Sequence, residues 1–213
     1  MTDLNDLYEA ILNGKHNVAL EVTKSALSEN ISPKVLIDDY LIKAMEEIGR
    51  HFEQHKVFVP ELLMAGRAMK MSLSLIQPLL KGENTSLMLG TVVIGTVKGD
   101  LHDIGKNLVG SMFEGCGFKV VDLGVDVDAT KFINAVKENN ASIVGLSALL
   151  TTTMPYMKSI IEALETAGLR DKVKVMVGGA PVSEGFAREI GADGYSDSAN
   201  SAVVKAKELL GVA

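Results

Sequence analysis

The first 82 residues have the hydrophobic periodicity of amphipathic helices, with apolar residues recurring at spacings of three and four. Ser32-Pro33 is typical of a helix start, because serine favours the N-cap and proline the first helical position. Asp3 can cap an earlier helix in the same way. Helices joined by short connections predict a small four-helix bundle over residues 1–82, and its helices are expected to begin near Asp3, Asn17, Pro33 and Pro60.

From residue 86 onward, short apolar runs alternate with helical segments. Continuous apolar strands are typical of a parallel sheet that helices cover on both faces. Residues 86–213 are therefore predicted to form an α/β domain, a flavodoxin-like, doubly wound sheet of five strands in the order 2-1-3-4-5. A polar stretch, residues 81–84, is predicted as the linker to the bundle. The predicted strands cover residues 87–97, 118–123, 141–149, 173–178 and 194–195.

The predicted topology indicates where a ligand would bind. In doubly wound sheets, ligands lie beyond the carboxyl ends of the strands, at the point where strand order reverses. Here that point is between the first and third strands. The loops after Val97, Leu149 and Gly178 are therefore expected to form the site.

The loop after the first predicted strand contains the strongest candidate chemistry. It runs from Lys98 to Asn107 and combines two glycines, two aspartates and His102. A neutral imidazole is a good ligand for a transition metal. Asp100, two residues earlier, can bind the other ring nitrogen, which fixes the tautomer and tunes the basicity of the ligand. The alternative is that His102 caps the following helix or makes an ordinary loop hydrogen bond.

The loops after the third and fourth predicted strands carry hydroxyls and glycines. Thr151, Thr152 and Thr153 follow the third strand, where they could cap the next helix or bind the polar edges of a ligand. Gly178-Gly179 ends the fourth strand. The two glycines could let another molecule approach the backbone closely, or they could simply turn the chain.

Two other kinds of site fit the sequence less well. His51 and His55 are four residues apart on a predicted helix, as in some zinc sites, but no third ligand is evident and a solvated helix end explains them better. A phosphoacceptor receiver domain would need an acid after the third strand. That strand ends in Leu-Ser-Ala-Leu instead.

Composition and charge narrow the class of protein. Of 213 residues, 47% are hydrophobic and 23% are charged, which is ordinary for globular domains and excludes a disordered chain. The net charge of −6 disfavours nucleic-acid binding, and the single cysteine excludes an internal disulfide framework. No apolar run reaches the roughly 20 residues of a membrane span, and the N-terminus lacks a signal-peptide pattern. We expect a soluble, cytoplasmic protein that binds neither nucleic acid nor membrane.

The three loops together resemble the corrinoid-binding signature of cobalamin-dependent methyltransferases, which also occurs in the cobalamin module of methionine synthase. The most similar class is the stand-alone corrinoid protein of methanogens and acetogens, which serves methylamine, methanol, betaine or aryl-ether methyltransferases. A helical bundle precedes the sheet domain in that family as it does here, so the resemblance covers nearly the whole chain. The matching pattern is Asp100-x-His102-x-x-Gly105, then Ser147-x-Leu149, then Gly178-Gly179.

The resemblance implies a role for each loop residue. His102 would be the lower axial ligand of cobalt in place of the cofactor's own dimethylbenzimidazole, which is the base-off/His-on state. Asp100 would hold the other nitrogen of His102, and Thr153 would complete this relay; these three are the implied catalytic residues. The resemblance assigns further cobalamin contacts to Gly99, Leu101, Asp103, Gly105 and Leu149, and, along the nucleotide tail, to Ser147, Thr151, Gly178, Gly179 and Ala199.

By the same resemblance, the bundle is a cap over the upper, methyl-bearing face of the corrin ring. Phe52, Val59 and Leu62 match the family's upper-face contacts, and Asp38 matches an acid of the preceding helix. The alternative is that the three apolar residues are bundle core and that Asp38 is a solvated helix residue.

The implied function is that of a methyl carrier. In this family a substrate-specific methyltransferase delivers a methyl group to cobalt, and a second methyltransferase removes it for a thiol or a tetrahydropterin. A reductive activase is a further expected partner. The cap and the cofactor domain use the 213 residues, which leaves no room for a catalytic barrel of about 250 residues, so the chain is not expected to be an enzyme by itself. The alternatives are a cobalamin-dependent regulator or sensor, a mutase small subunit, and a flavodoxin-like domain without a corrinoid.

Overall fold

The computed structural model describes residues 2–80 and 89–212, and the chain divides into two compact units. The units are Met1–Leu87 with Glu114–Gly117, and Met88–Phe113 with Phe118–Ala213. The predicted linker, residues 81–84, lies outside the described residues. Within the described part of the chain, no helix is long and apolar enough to cross a membrane.

The first unit is helical, as the periodicity predicts. Its elements are α1 (Asn5–Leu12), α2 (His16–Ser28), α3 (Pro33–Val35), a π-helical turn (Leu36–Leu41), α4 (Ile42–Glu53), α5 (Val59–Ile76) and a 3₁₀ turn (Gln77–Leu80). The third predicted helix therefore contains a π-helical turn between α3 and α4. Apolar side chains of these helices form a buried core that includes Leu7, Ile11, Leu41, Met45, Ile48 and Met69.

Three helix starts can be compared with the capping predictions. The Asp3 carboxylate accepts the Asn5 backbone N–H at 2.9 Å and so satisfies a free donor at the start of α1, but the N-cap position itself is Leu4 rather than Asp3. Ser32 occupies the N-cap of α3 with Pro33 at the first helical position, but the serine side chain makes no capping hydrogen bond. Helix α5 begins at Val59, one residue before the predicted Pro60.

Strands and helices alternate from residue 91 onward. They are β1 (Thr91–Thr96), α6 (Ile104–Gly115), β2 (Lys119–Asp122), α7 (Ala129–Asn139), β3 (Ile143–Ser147), α8 (Pro155–Thr166), β4 (Lys174–Gly178), α9 (Glu184–Glu189), β5 (Gly194–Ser196) and α10 (Ala199–Leu210). The strands form a parallel five-stranded sheet in the order β2-β1-β3-β4-β5. The predicted fold class and strand order are confirmed.

The strands end sooner than the apolar runs that predicted them. Val97, the last residue of the first run, makes only an isolated bridge with Val127. Strand β3 stops at Ser147 rather than at Leu149, because the N–H groups of Leu149 and Leu150 donate to Asp100 instead of continuing the ladder. Apolar residues stay buried beyond the end of the hydrogen-bonded strand, so the length of an apolar run overestimates the length of the strand.

The register brings the three predicted loops to one edge of the sheet. Thr96 pairs with Ser147, and Ser147 pairs with Gly178. Because all the strands are parallel, the loops after β1, β3 and β4 leave the carboxyl edge side by side. Below that edge lies a core that includes Val93, Phe132, Val144, Leu146, Ile160 and Val177.

Candidate functional site

A tight turn after β1 places the aspartate and the histidine of the first loop. The Asp100 N–H donates to the Val97 carbonyl at 3.1 Å. Gly99 within this turn has φ +81°, a left-handed conformation that glycine adopts without strain. His102 follows the turn, and α6 begins two residues later at Ile104. The turn thus places His102 just beyond the carboxyl end of β1.

Asp100 and His102 form a directed pair. Oδ1 of Asp100 lies 2.7 Å from Nδ1 of His102 and also accepts the His102 backbone N–H at 3.1 Å. An ionised carboxylate can only accept a hydrogen bond, so Nδ1 carries the proton, and in the neutral imidazole Nε2 then has the free lone pair. The His102 side chain is 50% exposed, whereas Asp100 is fully buried. The pair therefore offers one unprotonated imidazole nitrogen to a ligand.

The other oxygen of Asp100 is held by the loop after β3. Oδ2 accepts the N–H of Leu149 at 2.8 Å, the N–H of Leu150 at 3.1 Å and the hydroxyl of Thr153 at 2.8 Å. Burial alone would raise the pKa of the Asp100 carboxyl. Hydrogen bonds from the imidazole, from backbone N–H groups and from the threonine hydroxyl outweigh burial and hold that pKa far below its ordinary value. Asp100 is thus a fixed carboxylate behind the histidine.

The threonines after β3 do not cap α8. Thr153 is buried and directs its hydroxyl to Asp100, while Thr151 and Thr152 are exposed. The side chain at the N-cap of α8 makes no hydrogen bond to the helix. The capping interpretation of these hydroxyls is therefore wrong, and the buried threonine supports the aspartate instead.

The glycine pair at the end of β4 lies close to main-chain atoms of the neighbouring segments. Gly179 has φ +126°, and a Cβ there would lie 1.9 Å from the Ala148 carbonyl oxygen. A Cβ on Gly178 would come within 3.1 Å of the Ser196 carbonyl oxygen. A side chain at Gly179 would therefore push apart the segments that follow β3 and β4, whereas one at Gly178 would need only a small shift of Ser196.

Apolar side chains with high exposure surround the histidine. Leu101 is 70% exposed and Ile104 is 84% exposed, and Leu149 and Leu150 are 44% and 41% exposed. A Cβ on Gly105 would meet no atom within 4 Å, so open space adjoins the first turn of α6. An exposed apolar patch of this kind marks a binding surface, and it suits a flat, largely apolar ligand.

Three further residues that the resemblance predicts as contacts lie at or just after the carboxyl ends of strands. Asp103, after β1, accepts a hydrogen bond from Asn107 at 3.0 Å. Ser147, at the end of β3, is half-buried, and its carbonyl accepts the Val97 N–H at 3.0 Å. Ala199 begins α10 after β5 and is buried.

The predicted cap residues lie in the first unit and differ in exposure. Leu62 is 2% exposed and lies on the buried stripe of α5, which makes it part of the bundle core. Val59 at the start of α5 is exposed, and Phe52 near the end of α4 is half-buried. Asp38 is exposed in the π-helical turn and forms an ion pair with a lysine one turn earlier, at 2.6 Å.

A single histidine is enough to bind a metal ion when a cofactor supplies the other ligands of that ion. Within residues 2–80 and 89–212, no group of three or more histidine, cysteine, aspartate or glutamate side chains could hold a metal ion. His51, the alternative zinc candidate, has its Nε2 3.0 Å from a Glu47 carboxylate oxygen. The half-exposed His102 could bind a metal that a macrocycle already holds, as histidine does in haem proteins.

Sequence reasoning missed the backbone donors to Asp100. The N–H groups of Leu149 and Leu150 have no residue-type signature, since any residue except proline supplies one. The available signal was their position, directly after the strand that pairs with β1.

Comparisons with known proteins bear on both units. Two protein-family models, each described as a B12 binding domain, match residues 90–204 and residues 3–77. The dimethylamine corrinoid protein of Methanosarcina barkeri is 45% identical over 207 residues, which are 97% of each chain. The trimethylamine corrinoid protein of the same species is 47% identical over 205 residues, which are 96% of this chain and 94% of that one.

A solved structure gives a similar result. The methanol:cobalamin methyltransferase complex from Methanosarcina barkeri contains a chain that matches with a TM-score of 0.84 and 29% identity, over 99% of this chain and 80% of that one. The resemblance based on the loop motifs is thus confirmed along nearly the whole length. The chain belongs to the family of B12-binding corrinoid proteins.

Proposed function

We propose that this chain is a methyl carrier that binds cobalamin through His102. The observation that supports this most directly is the half-exposed imidazole, with Nδ1 bound to a buried carboxylate and Nε2 free. Cobalamin, when bound, supplies a cobalt atom that can accept and release a methyl group. In the base-off/His-on state, Nε2 of His102 would bind the cobalt.

Asp100 would set the basicity of this ligand. A carboxylate on Nδ1 orients the imidazole and increases electron density at Nε2. Because Thr153 and two backbone N–H groups hold the other carboxylate oxygen, Asp100 would stay in place when His102 leaves the metal. The relay can then return the imidazole to the same orientation.

The surface around His102 would receive the rest of the cofactor. The exposed apolar side chains of Leu101, Ile104 and Leu149 offer support for the lower face of a corrin ring. The open space next to Gly105 leaves room for its edge. Further contacts are proposed for Gly99 and Asp103 in the first loop and, along the nucleotide tail, for Ser147, Thr151, Gly178, Gly179 and Ala199.

Residues 1–82 would act as the cap and residues 86–213 as the cofactor domain. Phe52 and Val59 have surface available for an upper-face contact, and Asp38 has an exposed carboxylate. Leu62 would contribute from the bundle core by fixing the position of α5.

A methyltransferase is the first expected partner, and the structural match to a methanol:cobalamin methyltransferase complex supports it. The relatives named for dimethylamine and trimethylamine favour a methylated amine as the methyl donor. A second methyltransferase, acting on a thiol or a tetrahydropterin, and a reductive activase would complete the cycle. The chain would not be an enzyme by itself and would work in the cytoplasm. No finding supports the alternative of a cobalamin-dependent regulator or sensor.

Reconstitution with hydroxocobalamin tests the proposal. In the Co(II) form, EPR lines split into triplets by one coordinated nitrogen are expected. His102→Gly should lose the triplets while corrinoid remains bound. His55→Gly is the matched control, because His55 is exposed and its φ of +56° is a conformation that glycine adopts freely. Labelling the histidines of the wild-type protein with nitrogen-15 should turn the triplets into doublets, which separates His102 from the cofactor's own dimethylbenzimidazole. Triplets that persist in the labelled protein, or a wild-type protein that binds no cobalamin, would overturn the proposal.

A further inference from the structure

The loop that carries His102 is held by two residues outside the Asp100 relay. Thr96, the last residue of β1, is fully buried, and its hydroxyl donates to the His102 carbonyl at 2.9 Å. Asp126, in the loop after β2, accepts the Gly99 N–H on Oδ1 at 2.7 Å. The Asp126 N–H donates to the Asp100 carbonyl at 3.0 Å. Main-chain groups of Gly99, Asp100 and His102 are thus fixed from outside the loop.

The segment that contains Asp126 is itself tied to β1. The Thr96 N–H donates to the Gly124 carbonyl at 3.0 Å, and the Val127 N–H donates to the Thr96 carbonyl at 3.0 Å. Asp126 has φ +53°, a left-handed conformation that costs energy in residues other than glycine and persists where the surroundings enforce it. The segment therefore presents Asp126 to the His102 loop in one defined conformation.

An ion pair between a buried lysine and an exposed aspartate connects the same segment to α6. The Lys106 side chain is 1% exposed, and its Nζ lies 2.5 Å from Oδ2 of Asp122. Oδ1 of Asp122 accepts the Gly124 N–H at 2.9 Å. The helix that follows His102 and the segment that contains Asp126 are therefore connected through Asp122.

We infer that Thr96 and Asp126 are positioning residues that keep the main chain of the His102 loop fixed, so that ligand exchange moves only the imidazole. The inference rests on the proposed function, in which His102 binds and leaves cobalt. A loop that had to be ordered at each binding event would oppose coordination with its conformational entropy. Because the main chain of the loop is already fixed, coordination costs only the conformational entropy of the His102 side chain.

Amide hydrogen exchange of the cofactor-free protein tests the fixed loop without any corrinoid. Asp126→Ala should accelerate exchange at the Gly99 amide about three- to tenfold, as expected for the loss of one hydrogen bond, and leave the amides of the bundle unchanged. Asp126→Asn is the conservative control, because asparagine keeps an oxygen acceptor and tolerates the left-handed conformation. It should restore most of the protection. Unchanged exchange at Gly99, or an equal acceleration throughout the sheet, would overturn the inference.

EPR of the Co(II)-cobalamin protein tests the consequence for His102. Thr96→Val removes the hydroxyl at nearly constant volume and should lower the ratio of nitrogen-coordinated to uncoordinated cobalt about three- to tenfold. Thr96→Ser should retain the ratio. Thr23→Val is the control for stability, because Thr23 is also buried and its hydroxyl donates to a carbonyl within the bundle at 2.7 Å.

Equal ratios in the wild type and the Thr96→Val protein would overturn the inference, as would a loss of equal size in Thr23→Val. If the wild-type protein itself shows no coordinated nitrogen, the proposed function fails and the positioning role for cobalt fails with it. The exchange experiment on Gly99 then still decides whether Asp126 fixes the loop.

Discussion

Oδ2 of Asp100 accepts the backbone N–H of Leu149 at 2.8 Å, across 49 positions of sequence. The residue behind the histidine in the β1 loop is therefore held by the main chain of the β3 loop. This hydrogen bond can form only after β1 and β3 have paired, so the site is assembled by the sheet itself. Substitutions of Asp100 should accordingly affect both the stability of the fold and the orientation of His102.

Asp100→Asn should destabilise the cofactor-free protein by about 1–3 kcal/mol. An amide offers one oxygen and one NH₂ group where the carboxylate offers two acceptors. Either the His102 imidazole or the donors of the β3 loop then lose their acceptor. Urea unfolding measures the change, with Asp103→Asn as the control, since the Asp103 carboxylate is not fully buried. A loss of equal size in the two variants would contradict the role given to Asp100.

The stability difference between the wild type and Asp100→Asn should shrink in acid. Folding lowers the pKa of the Asp100 carboxyl from its ordinary value of 3.8, so the native state favours the ionised form. This stabilising contribution is complete above the ordinary value and is lost as the pH falls through the lower folded value. The difference should be constant between about pH 5 and pH 7 and narrow below about pH 4. Urea unfolding at a series of pH values measures it, and a difference that widens in acid would show the opposite linkage.

Thr153→Val should cost less than Asp100→Asn, about 0.5–1.5 kcal/mol. Oδ2 of Asp100 keeps the N–H groups of Leu149 and Leu150 when the hydroxyl is removed. Thr153→Ser should restore most of the loss, because serine supplies the same donor. Unfolding midpoints of the three variants test this order. If Thr153→Val proves as costly as Asp100→Asn, the hydroxyl and not the backbone is the main support of the carboxylate.

The fold could be predicted because its signals are local. Uninterrupted β-branched runs separated by helical patterns imply a parallel sheet, and a parallel sheet places its ligand loops at one edge. The Asp100–His102 contact was also predictable, since two residues in one tight turn stay close in any version of the loop. The observed register pairs Thr96 with Ser147 and Ser147 with Gly178, which agrees with the prediction that the three loops share one edge.

The features that sequence did not predict depend on contacts between distant segments. The donors of Leu149 and Leu150 to Asp100 are backbone groups, which leave no trace in the sequence. The Asp126 N–H donates to the Asp100 carbonyl while Asp126 is in a left-handed conformation, and nothing in the sequence marks this aspartate as left-handed. The π-helical turn in the bundle changes the helix phase without a glycine or proline to mark it. The role of Leu62 stayed open because an apolar stripe on α5 serves a core and a ligand surface equally well.

Phe52→Ala tests the cap assignment. Phe52 is half-buried near the end of α4, and its truncation should open the upper face of the cofactor while cobalamin binding largely survives. The methylated protein should then lose its methyl group faster in light, which visible absorption follows. Val35→Ala is the control, because Val35 is an exposed apolar residue of the same unit with no proposed contact. Equal photolysis rates in the wild type and Phe52→Ala, with the fold intact, would remove Phe52 from the cap.

Gly179 and Gly105 should respond in opposite ways to the same added methyl group. At Gly179 the φ of +126° and the Ala148 carbonyl, 1.9 Å from a Cβ, both exclude a side chain. Gly179→Ala should destabilise the cofactor-free protein by about 3 kcal/mol. At Gly105, in the first turn of α6, a Cβ meets nothing within 4 Å. Gly105→Ala should therefore leave the cofactor-free protein as stable or more stable, by about 0.5–1 kcal/mol, because alanine favours a helix.

Gly105→Ala should affect cobalamin binding differently from stability. A Cβ at Gly105 would project into the space proposed for the edge of the corrin, so Gly105→Ala should weaken cobalamin binding although the fold gains stability. Thermal unfolding without cofactor and equilibrium titration with hydroxocobalamin measure the two effects on one protein sample. Undiminished binding by Gly105→Ala would place the corrin elsewhere on the apolar surface. A stable, normally folded Gly179→Ala would show that the segments after β3 and β4 can separate, and that the second glycine serves a ligand rather than the packing of the sheet.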